Sequence, residues 1–159
     1  MSDPGGGVAP PVAAALSTAG FAALAIAGLG VTSVLLDVEV IAVPGLGNVP
    51  GAAAMVCSIG GVGAVLATVL RRPRPSYAAA GTTAVVALLA YLVGLVLGAI
   101  VTGVDPARAG SAAGTFALSW FALVLVGAAL VAGWGAVALV RTGADRPRWP
   151  WEHTDPGDE

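Results

Sequence analysis

Four long stretches of the chain carry no charged residue: 12–36, 51–70, 77–104 and 115–140. Asp37 ends the first, Arg71 and Arg72 the second, Asp105 and Pro106 the third, and Arg141 the fourth. About 20 helical residues cross a hydrocarbon core of about 30 Å, and each stretch meets that length. A helix in a water-soluble bundle needs a polar face, and none of these runs has one. The pattern predicts an all-α fold, an integral membrane bundle of four transmembrane helices. A tail of residues 1–11 precedes the transmembrane domain of residues 12–140, and a tail of residues 141–159 follows it. The opening "MSDPGGGVAPP" contains Asp3 and no Lys or Arg. A secretory signal needs a positive start and a shorter apolar core, so the first run reads as a retained helix.

Composition agrees. The chain is 57% hydrophobic and 10% charged, against roughly 25% charged in an average soluble domain. Its mean hydropathy is +0.91. There is no Lys or Gln, and the sequence is dominated by Ala, Gly, Val, Leu, Pro and Arg. That bias suggests a high-GC bacterial genome. A net charge of −2 gives no basis for a nucleic-acid partner. The partner the sequence implies is the lipid bilayer.

Arginine placement sets the orientation. Arg71, Arg72 and Arg74 lie between the second and third runs, and Arg141, Arg146 and Arg148 follow the fourth. Arg108 alone lies in the other set of loops. The two clusters belong in the cytoplasm, and four spans then place both termini there. The outer loops are 37–50 and 105–114.

Intramembrane chemistry has few candidates. No Asp, Glu, Lys, Arg or His lies inside a run, whereas proton and ion pathways generally use such groups within the membrane. Small four-helix drug exporters resemble the chain in size and span count, but they depend on a Glu in the first span. Residues 12–36 contain no acid. Ser17, Ser33, Ser58 and Ser119 have no base nearby in sequence, and intramembrane hydroxyls ordinarily bond helix backbone. Cys57 and His153, the sole residues of their types, are too few for a structural zinc site. The glycines of "GGVGAV" at 60–65 lie inside a span without Lys, so they read as packing residues rather than a phosphate loop. No catalytic, cofactor-binding or metal-binding residue is assigned, and no cofactor is expected.

Packing features are plentiful. The third run contains a GxxxG at Gly94 and Gly98, extended at spacing four by Ala90 and Thr102. Gly60, Ala64 and Thr68 repeat the spacing in the second run, Ala15, Ala19, Ala23 and Ala27 in the first, and Ala129 and Gly133 in the fourth. Small residues at this spacing let helix backbones approach closely in lipid, although an Ala- and Gly-rich chain also generates such stripes by chance. The Ala90–Gly94–Gly98 face serves either the bundle itself or association with a homo-oligomer or a partner membrane protein.

The loop "DVEVIAVPGLGNVPG" alternates apolar residues with Asp37 and Glu39. The alternation predicts an extended piece with one apolar side, followed by turns at Pro44, Gly45, Gly47 and Pro50. It reads as a connection that shields its own apolar residues. The C-terminal tail "RPRWPWE" reads as an inner-leaflet anchor. Arg146 and Arg148 meet anionic headgroups, Trp149 and Trp151 prefer interfacial depth, and Pro147 and Pro150 stop the helix.

Together, "LLDVEVIAVPG" at 35–45, four spans and "RPRWPWE" at 146–152 resemble a family of small actinobacterial integral membrane proteins. That family has no assigned activity, so the resemblance implies architecture and source but no mechanism. The expectation is a small multi-pass plasma-membrane protein, non-enzymatic, acting as a structural or accessory subunit. The alternative is a small transporter or channel for a neutral or lipid-like solute.

Overall fold

The computed structural model describes residues 8–41, 48–72 and 76–141. These form five helices: α1 (Pro10–Leu36), α2 (Val49–Val69), α3 (Ala78–Val101), α4 (Pro106–Ala117) and α5 (Trp120–Arg141). No strand occurs among the described residues. Four of the helices, α1, α2, α3 and α5, are long and apolar enough to cross a membrane.

The helix ends follow from local chemistry. Prolines open α1, α2 and α4 at their first or second positions, where a missing N–H leaves no hydrogen bond unmade. At the end of α1, Asp37 turns left-handed with φ 52°, a conformation Asp tolerates better than most residues. The Ser33 carbonyl accepts from the N–H groups of Asp37 and Val38, and the Ser33 hydroxyl donates to the Val38 carbonyl at 2.7 Å. This closure departs from the expected extended piece. The chain turns at Val40 and Ile41, which are half-buried, because satisfying the last carbonyls of α1 bends the backbone at Asp37.

The four long helices form a ring in the order α1, α2, α3, α5, with α2 and α3 paired most extensively. The packing is inverted relative to a water-soluble bundle. Buried apolar positions are mostly alanine, supplemented by Phe21, Val62, Leu66, Leu95, Leu125 and Val137. Large apolar side chains point outward, among them Val34, Leu35, Val56, Val93, Leu123 and Val131. Outward bulk suits a surface wetted by acyl chains, and inward small residues suit close helix approach.

The fourth apolar run does not form one helix. Its first residues, 115–117, belong to α4, the chain breaks at Leu118 and Ser119, and α5 begins at Trp120. Much of the expected outer loop 105–114 is therefore helical. Gly103, at φ 81°, makes the turn out of α3, a backbone state glycine adopts without steric penalty. Asp105 then caps α4, its Oδ1 accepting from the N–H groups of Ala107 at 2.9 Å and Arg108 at 3.3 Å. Ala109, Ala112 and Phe116 are buried on one face, while Arg108, Ser111 and Thr115 are exposed on the other. The break follows from Ser119, whose hydroxyl donates to the Phe116 carbonyl at 2.7 Å. Its own N–H donates to that same carbonyl. Side-chain competition of this kind interrupts a helix.

Asp105→Ala is expected to destabilise α4 by about 0.5–2 kcal/mol. Hydrogen exchange should then quicken at residues 106–117 while the four long helices keep their protection. Unchanged exchange would mean that the cap does not hold α4.

Candidate functional site

Four places bring together residues of chemical interest: the α2–α3 seam, the seam between α1 and α5, and each of the two ends of the bundle.

The α2–α3 seam is built on backbone contact. A Cβ added at Gly94 would stand 2.8 Å from Ala54 Cα and Cys57 Cβ, and 2.9 Å from the Ala53 carbonyl oxygen. One added at Gly98 would stand 2.8 Å from Ala53 Cβ and 2.9 Å from Pro50 Cα. About one turn along, the partners exchange roles: the glycine is Gly61 of α2, and a Cβ there would meet Ala90 Cβ at 3.1 Å. Ala90, Gly94 and Gly98 thus face α2 inside the bundle. Ser58 crosses the same seam, its hydroxyl donating to the Ala87 carbonyl at 2.9 Å while fully buried. On the other side of α3, a Cβ added at Gly133 of α5 would stand 2.8 Å from Ala80 Cα.

Two other small-residue stripes face outward. Ala15, Ala19, Ala23 and Ala27 are exposed on α1, as are Gly60, Ala64 and Thr68 on α2. In their place α1 buries Ala14, Ser17, Phe21 and Ala25, and α2 buries Ala54, Ser58, Val62 and Leu66. Spacing four recurs on several faces of an alanine-rich helix. The buried face is the one where a larger residue such as Phe21 or Leu66 also finds room inside.

The α1–α5 seam is looser. It is pinched where a Cβ at Gly28 would lie 2.6 Å from Val124 Cγ1. Two apolar grooves flank the pinch. One of about 380 Å³ runs past Leu16, Gly20, Val131 and Gly135, and one of about 400 Å³ runs past Thr32, Leu35, Trp120 and Leu123.

The two ends of the bundle differ. At one end the turn after α1 meets α4 around a cavity of about 100 Å³, lined by Glu39, Val40, Ile41, Thr115, Phe116 and neighbours. Phe116 stacks there on Tyr91 of α3, with ring centroids 4.3 Å apart. At the opposite end, with exposed Arg71 and Arg72, Tyr77 stacks on Trp134 at 6.4 Å. The Arg141 guanidinium lies 5.1 Å from the Tyr77 ring centroid. From sequence, Arg141 marks topology, while Tyr77 and Trp134 carry no assignment. The available signal was the two-turn spacing of Trp134 and Arg141, beside a Tyr that opens the third run.

Among the described residues, no group of three His, Cys, Asp or Glu is placed to hold a metal ion, and no buried side-chain N or O lacks a hydrogen-bond partner. Besides Ser58, the buried Thr83 donates to Ala79 of its own helix at 2.8 Å. Arg146, Arg148, Trp149 and Trp151 of the expected anchor lie outside the described residues.

Gly94→Ala should destabilise the bundle by about 1–3 kcal/mol, because backbone on α2 must move to admit the methyl. Gly60→Ala meets nothing within 4 Å, so it should be neutral or stabilise by up to about 1 kcal/mol through helix propensity. Reversible unfolding in mixed micelles compares the two. Equal effects would show that the seam is not close-packed in the bilayer.

No curated protein and no solved structure matches the chain. A family model does match, over residues 10–159. That match takes in all five helices and the Arg- and Trp-bearing tail: the chain belongs to the family of unknown function DUF6121.

Proposed function

We propose that the protein is a non-enzymatic structural or accessory subunit of a bacterial plasma membrane, with both termini cytoplasmic. The observation that carries this reading is the closeness of the seams beside α3. At Gly94, Gly98 and Gly133 the facing helix leaves no room for a methyl group, and the one buried hydroxyl that crosses between α2 and α3 is already bonded to backbone. Such contacts favour a fixed scaffold over helices that separate to pass a solute. The outward small-residue stripes on α1 and α2 offer faces on which another membrane helix can pack closely. The orientation rests on Arg71, Arg72 and Arg141 at one end of the bundle, with Asp37, Glu39 and Asp105 at the other.

A second reading, a carrier of a neutral or lipid-like solute, draws on the apolar grooves of the α1–α5 seam. Purification from native membranes in mild detergent separates the two. The subunit reading expects a partner membrane protein retained in fixed stoichiometry. A lone monomer or homodimer that moves solute across liposome walls would sink it. Orientation has its own test. With Cys57→Ala as background, Asn48→Cys is expected to label from outside the cell and Ser76→Cys from inside. Labelling of both from one side would refute the four-span topology.

A further inference from the structure

The Arg71, Arg72 end of the bundle holds a cluster that the subunit reading does not use. Gly133 seats α5 against the opening turns of α3, since a Cβ added there would stand 2.8 Å from Ala80 Cα and 3.2 Å from Thr83 Oγ1. That contact brings Trp134 alongside Tyr77, the residue before α3, with ring planes 28° apart. Arg141 lies two turns beyond Trp134, hence on the same face of α5, and places its guanidinium over the Tyr77 ring. Tyr77 and Trp134 are 43% and 59% exposed, so the cluster is open from the side and from its end.

This geometry leaves a specific capacity unfilled. A ring face attracts a guanidinium through its π cloud but occupies none of the five N–H donors. Among the described residues the Tyr77 ring is the partner Arg141 has. Its donors are thus held in place for a planar, two-point contact with an oxyanion such as phosphate. Depth supplies the second constraint. Arg141 is the last residue of an apolar span, the level at which Tyr and Trp sit among headgroups. Below it the exposed Trp134 and Val131 present an apolar flank. An anion that suits both parts carries a phosphate at one end and hydrocarbon at the other.

We propose that Tyr77, Trp134 and Arg141 form a binding site for an anionic phospholipid, with Arg141 on the phosphate and the aromatic pair against the glycerol and upper acyl chain. Charge complementarity supports this occupant, because Arg71 and Arg72 raise the positive potential at the same end. The site rests on the membrane-spanning reading. Its assignment to the inner leaflet rests further on the orientation proposed above.

The test uses the full chain in nanodiscs of phosphatidylcholine and phosphatidylglycerol in equal amounts, with co-released lipid counted by native mass spectrometry. Phosphatidylglycerol is expected to be enriched around the wild-type protein. Arg141→Gln should lower the enrichment on the order of fivefold, and Tyr77→Leu should lower it as well. Tyr77→Phe keeps the ring face and should retain it. Arg72→Gln removes a cation at the same end but outside the cluster, and should lower it clearly less than Arg141→Gln does. Thermal unfolding of each variant checks that the bundle is intact. Three results would each overturn the proposal: no enrichment around the wild type, equal losses in Arg141→Gln and Arg72→Gln, or displacement of the lipid by millimolar inorganic phosphate. The first shows no preference, the second a diffuse field rather than a site, and the third a soluble anion as the ligand. If labelling places residue 76 outside, enrichment stands and the leaflet assignment alone falls.

Discussion

Lipid removes the force that assembles most proteins. Acyl chains solvate leucine and valine as well as a neighbouring helix does, so burying them inside the bundle gains little. What remains is dispersion between surfaces that fit, and dispersion falls off within an ångström of lost contact. The fold therefore depends on how near α3 comes to α2 and α5. Gly94, Gly98 and Gly61 set the first distance, and Gly133 the second. The alanine interior, the outward valines and leucines, and the position of Trp134 beside Tyr77 all follow from those approaches.

Polar groups obey the same solvent. An unsatisfied hydroxyl in hydrocarbon costs several kcal/mol, with no water to compensate. Many of the hydroxyls accordingly bond to carbonyl oxygens: Thr18, Thr68, Thr83 and Thr102 each reach back three or four residues. Ser58 is different because it reaches across to α3. It ties the two most extensively paired helices at the level where Ala87 packs, and an interhelical bond of this kind contributes about 0.6–2 kcal/mol in a bilayer.

The spans were legible in the sequence because absence of charge over about 20 residues is a constraint imposed by the bilayer, whatever the fold. Their ends were legible to within a few residues for the same reason. The segment that escaped was α4. The sequence pattern gives 105–114 as an outer loop and starts a span at Thr115, whereas Asp105, Pro106 and the buried Ala109, Ala112 and Phe116 are the marks of a capped amphipathic helix. A window set to find unbroken apolar runs passes over one short helix with two faces. The seams were half legible. Ala90, Gly94 and Gly98 face α2, but Gly60 and Ala64 point outward while Gly61, one residue along, meets α3. Spacing alone does not choose among faces that all carry small residues. The aromatic and cationic cluster was hidden for another reason: its members come from the ends of two helices, and the approach at Gly133 is what joins them.

The inverted interior also bears on how such a protein can drift over generations. In a water-soluble domain the surface diverges freely and the large core residues are held. Here the outer positions away from the outward small-residue stripes, such as Val93 and Leu123, need only stay greasy, so exchanges among Val, Leu, Ile and Phe there are nearly silent. The strict positions are those with the least side chain. Within the spans, descendants of one ancestor would thus come to share chiefly a sparse lattice of glycines and alanines.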